Sequence, residues 1–188
     1  MMGSFESLAG KLLIAVPSLL DAYFTRTVIY LCAHSEEGAL GLVVNQPMEA
    51  SVAEISQQLE IPWDRTGHSP VCLGGPVSPE QGFILFEQPI TSAGSIEVSP
   101  GVHMGTNPEI LTHLGRDGAT ERFLFVLGYA GWAEGQLEEE LQENSWLVTD
   151  GDPRILFDVG YDKRWEEALH ALGVDPSLLV ESSGGRAN

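Results

Sequence analysis

Apolar residues fall in short runs along this chain, and the runs change period from two to near four and back. Residues Lys11–Ala15 (KLLIA), 27–33 (TVIYLCA) and 41–45 (GLVVN) are rich in β-branched and aromatic residues, with turn residues between them. That pattern predicts strands. Residues 34–38 (HSEEG) read as the tight connection between the second and third. Residues 51–59 read as a helix. Ser51 and Glu54 have capping-box spacing, Val52, Ile55 and Leu59 share one face, and Pro62 ends the run.

Short strands are predicted again at 71–73, 83–86 and 95–98, with the loop 74–79 (GGPVSP) between the first two. Asn107 and Pro108 open a second helix whose apolar face is Ile110, Leu111 and Leu114, closed by Gly115. Residues 122–127 form a buried strand that feeds a glycine-rich turn holding Tyr129 and Trp132. That turn opens an acidic helix, Gln136–Gln142. Residues 146–149 and 155–157 read as strands around a turn at 150–153. Residues 162–172 make the last clear helix, with Trp165, Ala168, Leu169 and Leu172 on one face and Asp162 as its cap. Strands and helices mix without strict βαβ alternation, so the fold class is α+β. One domain spanning 1–188 is expected, with fraying at about 1–8 and 182–188.

Charge narrows the function classes. Nine Lys and Arg stand against 27 Asp and Glu, a formal net charge of -18. Only Lys163 and Arg164 are adjacent basic residues, so no basic stripe meets a phosphate backbone. Direct nucleic-acid binding is disfavoured, and a DNA-binding repressor is the weakest of three readings. The apolar run after Lys11 is too short to span a bilayer, and Glu6 stands where a leader would be basic. A cytoplasmic protein with no membrane association is expected. Cys32 and Cys72 lie in strand-like runs without CxxC or Cys/His spacing and read as buried reduced thiols.

The common nucleotide, zinc-protease, esterase and calcium-loop motifs are missing, and the histidines lack metal-ligand spacing. No metal or cofactor is expected. The turn before the acidic helix has the outline of an anion site, but Glu134, Glu138, Glu139 and Glu140 would repel a phosphate there. It reads as a structural turn packed by Tyr129 and Trp132. Gly74 and Gly75 permit a backbone concavity without adjacent acid, or a plain tight loop between strands. His34 ends a strand before two glutamates and is expected to hold a turn or to serve a site.

Several long motifs, in order, resemble the YqgE/AlgH family. They are LLIAVPSLLDAYFTRTVIYLCAHSEEGALGLVVNQP (12–47), LGGPV (73–77), GFIL (82–85), GYAGWAEGQLEEELQENSW (128–146) and ILFD (155–158). The resemblance implies coiled mixed β-sheets with a small barrel-like core surrounded by helices. It also implies a link to regulation of transcription in exopolysaccharide synthesis, with no agreed catalytic residue. The pattern positions carried over as pocket candidates are Asp21, Arg26, His34, Asn45, Gly74, Gly75, Tyr129, Trp132 and Gln136. The family often has His after the GFIL strand and a Gly-His-Ala tail. Here Phe86 and Gly185-Arg186-Ala187 stand there, so neither histidine can carry an activity in this chain. The leading expectation is a non-enzymatic regulator or adaptor acting through a protein partner. The alternative is a small-molecule or nucleotide-binding module with weak hydrolase or transferase activity.

Overall fold

The computed structural model describes residues 5–16, 24–90 and 94–183. The first half of the chain forms β1 (Lys11–Ala15), β2 (Val28–Ser35), β3 (Gly38–Val43), β4 (Pro47–Ser51), α1 (Val52–Gln58), β5 (Pro70–Leu73) and β6 (Val77–Phe86). Next come β7 (Ile96–Ser99), β8 (Val102–Gly105), α2 (Glu109–Leu114), β9 (Phe123–Ala133), α3 (Gln136–Gln142) and β10 (Trp146–Asp150). The chain closes with α4 (Pro153–Phe157), α5 (Arg164–Ala171) and α6 (Pro176–Ser183). The protein is a mixed α/β structure dominated by sheet.

The sheet runs β10-β1-β2-β3-β9-β6-β8-β7, and β5 adds in parallel beside β9 with β4 on its outer edge. β9 is the joint. Its first half pairs with β5 on one side and β6 on the other, while its second half pairs with β3. The sheet curls into a half-barrel, and the Tyr30 hydroxyl meets Ser99 Oγ at 2.8 Å where the far edge returns toward β2.

Both faces of the sheet are covered at its central strands, which explains why those strands read as continuous apolar runs. Leu12, Ile14, Val28, Tyr30, Leu42, Phe83, Leu85, Leu124 and Val126 face the concave side. There they meet Ile155 and Leu156 of α4 and Trp165, Ala168 and Leu169 of α5. Trp165 Nε1 donates to the Ala15 carbonyl at 2.9 Å, tying α5 to β1. Leu13, Ala15, Ile29, Leu31 and Val43 face outward and pack against Leu137 and Leu141 of α3. Ile84, Phe86, Val71 and Phe125 face outward at the other end, under Val52 and the α2 residues Ile110, Leu111 and Leu114.

Two irregularities, one on β2 and one on β9, change which face a side chain takes. On β2 the register slips between Leu31 and Ala33, so His34 turns to the outer side, opposite Ala39. On β9, Gly128 adopts φ +74. Leu124 and Val126 face inward before it, whereas Ala130 and Trp132 face outward after it. The same strand therefore serves opposite faces in its two halves.

Arg164 is buried, 3% exposed. Its Nε donates to the Val159 carbonyl at 3.0 Å, its Nη1 to the Val44 carbonyl, and its guanidinium lies 4.2 Å from the Tyr161 ring centre. Burial lowers its pKa and pushes the nearby Cys72 thiol up to about 11. Cys32 is raised by burial as well, so both thiols are reduced and inert at neutral pH.

Three sequence expectations are corrected. Residues 155–157 are helix, because Asp152 caps the Arg154 N–H at 2.8 Å and Pro153 opens the turn. The glycine-rich segment after residue 127 is strand through Ala133, and the chain turns only at Glu134 and Gly135. Asp162 does not cap α5, which starts after Lys163 with no side-chain cap. The capping box is present as read: Ser51 Oγ accepts the Glu54 N–H at 3.3 Å, and Glu54 accepts the Ser51 N–H at 2.7 Å.

Candidate functional site

The signature segment 128–146 supplies most of β9's second half, α3 and the start of β10. Glycines let the connection from β5 to β6 lie directly against β9. A Cβ on Gly75 would stand 2.0 Å from the Tyr129 carbonyl carbon, and one on Gly74 would stand 2.3 Å from the Gly128 oxygen. Gly74 also donates to the Leu127 carbonyl at 2.7 Å and accepts from Val43 at 2.8 Å. These glycines serve a backbone crossing, and the Gly74 N–H is already engaged.

Arg26 and Asn45 form a separate group. Asn45 Oδ1 accepts the Val28 N–H at 2.9 Å, and its Nδ2 donates to the Arg26 carbonyl at 2.9 Å. Arg26 sits at φ +54. Its guanidinium lies 4.4 Å from the Trp165 ring centre and 3.7 Å from Glu166 Oε1. Asp21 lies outside the described residues.

His34, Ala39 and Trp132 occupy one cross-strand row beneath α3. His34 Nδ1 accepts the Leu8 N–H at 2.9 Å, which places the ring proton on Nε2. Nε2 then donates to Glu138 Oε1 at 2.8 Å. The His34 carbonyl accepts from Ser7 Oγ at 2.8 Å, and the Phe5 ring meets the imidazole edge-on at 4.8 Å. The histidine thereby pins the segment before β1 to β2 and α3.

Glu140 is the centre of the second half of the site. Its Oε2 accepts the indole N–H of Trp132 at 2.9 Å and that of Trp146 at 2.8 Å. Its Oε1 accepts from Gln136 Nε2 at 2.9 Å. Gln136 Oε1 in turn accepts the Ala133 N–H at 3.0 Å, joining the end of β9 to α3. The two indoles meet at 78° with ring centres 6.2 Å apart, and Phe24 meets Trp146 at 72° and 5.8 Å.

Two depressions flank Trp132. An open groove of about 640 Å³ carries His34, Tyr129 and Trp132. A more enclosed cleft of about 370 Å³ carries Trp132, Gln136, Glu140, Glu143 and Trp146. Arg26, Asn45, Gly74 and Gly75 line neither. The structure thus gathers His34, Tyr129, Trp132 and Gln136 around one edge and leaves the other described candidates in structural roles beside it.

Sequence reading missed Glu138, Glu140 and Trp146. The available signal was the four-residue step from Trp132 to Gln136 to Glu140, which stacks acceptor and donor along one line where strand passes into helix. Phe86 is fully buried and stacks on His103 at 5.7 Å. Among the described residues no group of three or more His, Cys, Asp or Glu is placed to hold a metal ion. No helix among them is long and apolar enough to cross a membrane.

These features define a mostly-sheet mixed α/β protein with a half-barrel core and an aromatic, acidic cleft at the joint of β9 and α3. The chain belongs to the AlgH-like family, whose pattern matches residues 12–177. A UPF0301 protein of Magnetococcus marinus is 59% identical over 184 residues, covering 98% of this chain and 99% of its own. A UPF0301 protein of Shewanella sp. strain ANA-3 is 43% identical, covering 95% and 98%. The solution structure of the AlgH protein from Pseudomonas aeruginosa superposes with a TM-score of 0.78 at 37% identity, covering 100% of this chain and 98% of that one. The crystal structure of protein DIP2367 from Corynebacterium diphtheriae shares the fold, with a TM-score of 0.72 at 22% identity, covering 95% and 94%.

Proposed function

We propose that the protein is a non-enzymatic cytoplasmic regulator or adaptor, one domain over residues 1–188, that acts on transcription indirectly through another protein. One observation carries this reading: four polar side chains of the family signature are hydrogen-bonded to one another or to neighbouring groups of the chain. Asn45, His34, Gln136 and Glu140 each have internal partners. A general acid or base needs a group within reach of substrate. The charge of -18 supports a protein partner over a nucleic acid. The test is affinity capture from cell extract with the full chain, with and without nuclease. A reproducible protein partner that survives nuclease is the expected result. Failure to recover one, together with tight salt-resistant DNA binding, overturns the reading.

A second reading, a small-molecule module, draws support from the enclosed cleft of about 370 Å³. Glu140 and Glu143 in its wall oppose the nucleotide form of that reading by charge repulsion. A ligand at a hundred times its Kd would stabilise the fold by about 2.7 kcal/mol in a thermal-shift screen. No shift across amines, sugars and nucleotides removes it.

A further inference from the structure

We propose that the cleft walled by Phe24, Trp132 and Trp146 and floored by Glu140 binds an alkylammonium group. The inference goes beyond the adaptor reading and does not depend on it.

Charge in the cleft selects a cation. Three N–H donors hold the Glu140 carboxylate, from Trp132, Trp146 and Gln136. All three are neutral. They fix the carboxylate in orientation but leave its negative charge uncompensated. The other ionisable group in the cleft wall, Glu143, is also acidic, and no Lys or Arg among the described residues lines the cleft. The wider field of a chain at -18 adds to the same preference.

The aromatic wall fits an alkyl stem as well as a charge. Trp132 against Trp146 and Phe24 against Trp146 stand at 78° and 72°, so successive rings form corners rather than a flat stack. Both indole N–H groups are turned to Glu140, and aromatic faces attract cations through their quadrupole. Pro76 and Val77 complete an apolar side suited to a short alkyl chain. A hard metal ion needs several converging oxygens, which aromatic walls do not supply. A phosphate or carboxylate would face two glutamates. An ammonium on an alkyl stem satisfies both the charge and the apolar wall, and a volume of about 370 Å³ admits one such group.

The ammonium can belong to a free amine or to a lysine side chain of a partner. The test uses the full chain at constant ionic strength, with three probes: n-butylammonium chloride, the neutral 1-butanol, and the peptide acetyl-Gly-Lys-Gly-amide. Binding is followed by the indole N–H signals of Trp132 and Trp146 in ¹⁵N-resolved NMR. The expected result is saturable binding of a cationic probe about tenfold or more tighter than 1-butanol. Tighter binding of the free amine assigns a metabolite, and tighter binding of the peptide assigns a partner's lysine. Both outcomes support the site. E143Q removes a wall charge without touching the indole clasp, so it keeps both indole signals in place and weakens the cation several-fold. Equal affinity for 1-butanol and butylammonium, absence of saturable binding by either cation, or unmoved indole signals each overturn the proposal. An E143Q variant that binds unchanged does the same.

Discussion

His34 and Trp132 lie in one cross-strand row on either side of Ala39, and each ends on a glutamate of α3. The row explains why α3 sits where it does, since two carboxylates on its own turns are held from below. His34 also accepts the Leu8 N–H, so replacing it removes a bond at each end. His34→Ala is expected to cost about 1–3 kcal/mol, the range for losing a half-buried hydrogen bond and leaving a partner unmatched. Amide exchange at Leu8 should accelerate strongly while that of Val126 in β9 follows only the global loss. Unchanged protection at Leu8 would sink this account of the histidine.

Gly75 is required by contact as well as by its backbone conformation, φ +157. An added Cβ would lie 2.0 Å from the Tyr129 carbonyl carbon and 2.2 Å from its oxygen, and backbone cannot yield as a side chain does. Gly75→Ala is expected to cost about 4 kcal/mol or more, or to prevent folding, as overpacking at the extreme of its range does. Gly118→Ala provides the contrast. Nothing lies within 4 Å of its added Cβ, and only φ +75 opposes it, so about 1 kcal/mol is expected. Urea midpoints of the two variants decide the matter, and equal shifts would remove the crossing argument.

Arg122, just before β9, bridges Glu87 and Asp158. Its Nε donates to Glu87 Oε2 at 2.9 Å, and its Nη atoms reach Glu87 Oε1 and Asp158 Oδ1. Hydrogen bonds from Arg122 hold both carboxyls below their usual range. A carboxyl depressed in the folded state contributes stability that is complete above its unfolded pKa, about 4. That contribution is lost as pH falls through the lower folded value. Arg122→Gln should therefore flatten the stability curve below pH about 4, with a smaller difference in high salt. Parallel acid limbs for the two proteins would show the bridge to be inert.

The legible parts of the sequence were those where a local signal and the tertiary structure agree. β1 follows its apolar run residue for residue, and the Ser51–Glu54 box starts α1 where its spacing says. β4 was invisible because PMEAS carries no alternation, and its pairing is imposed by β5. ILF at 155–157 satisfies strand and helix statistics alike, and the cap at Asp152 decided it. In the signature segment, glycines were read as turn formers. Gly135 is one, at φ +73, but Gly128 serves close approach to the Gly75 backbone, which no local window contains. The same holds for the candidate site: Gln136 and Trp132 were legible from the motif, whereas the Glu140 clasp also needs Trp146, brought in by β10.

β9 also sets the order in which this chain can become a protein. Until residues 123–133 leave the ribosome, β3 and β6 each end in an unpaired edge, and β5 has no parallel neighbour. β1 gains its second neighbour later still, when β10 pairs along it and Asp150 comes opposite Lys11. About two thirds of the nascent chain thus emerges as three unfinished ladders, β1-β2-β3, β4-β5 and β6-β8-β7, each with exposed edges of the kind that invites misassembly. One glycine-rich strand, arriving late, joins them.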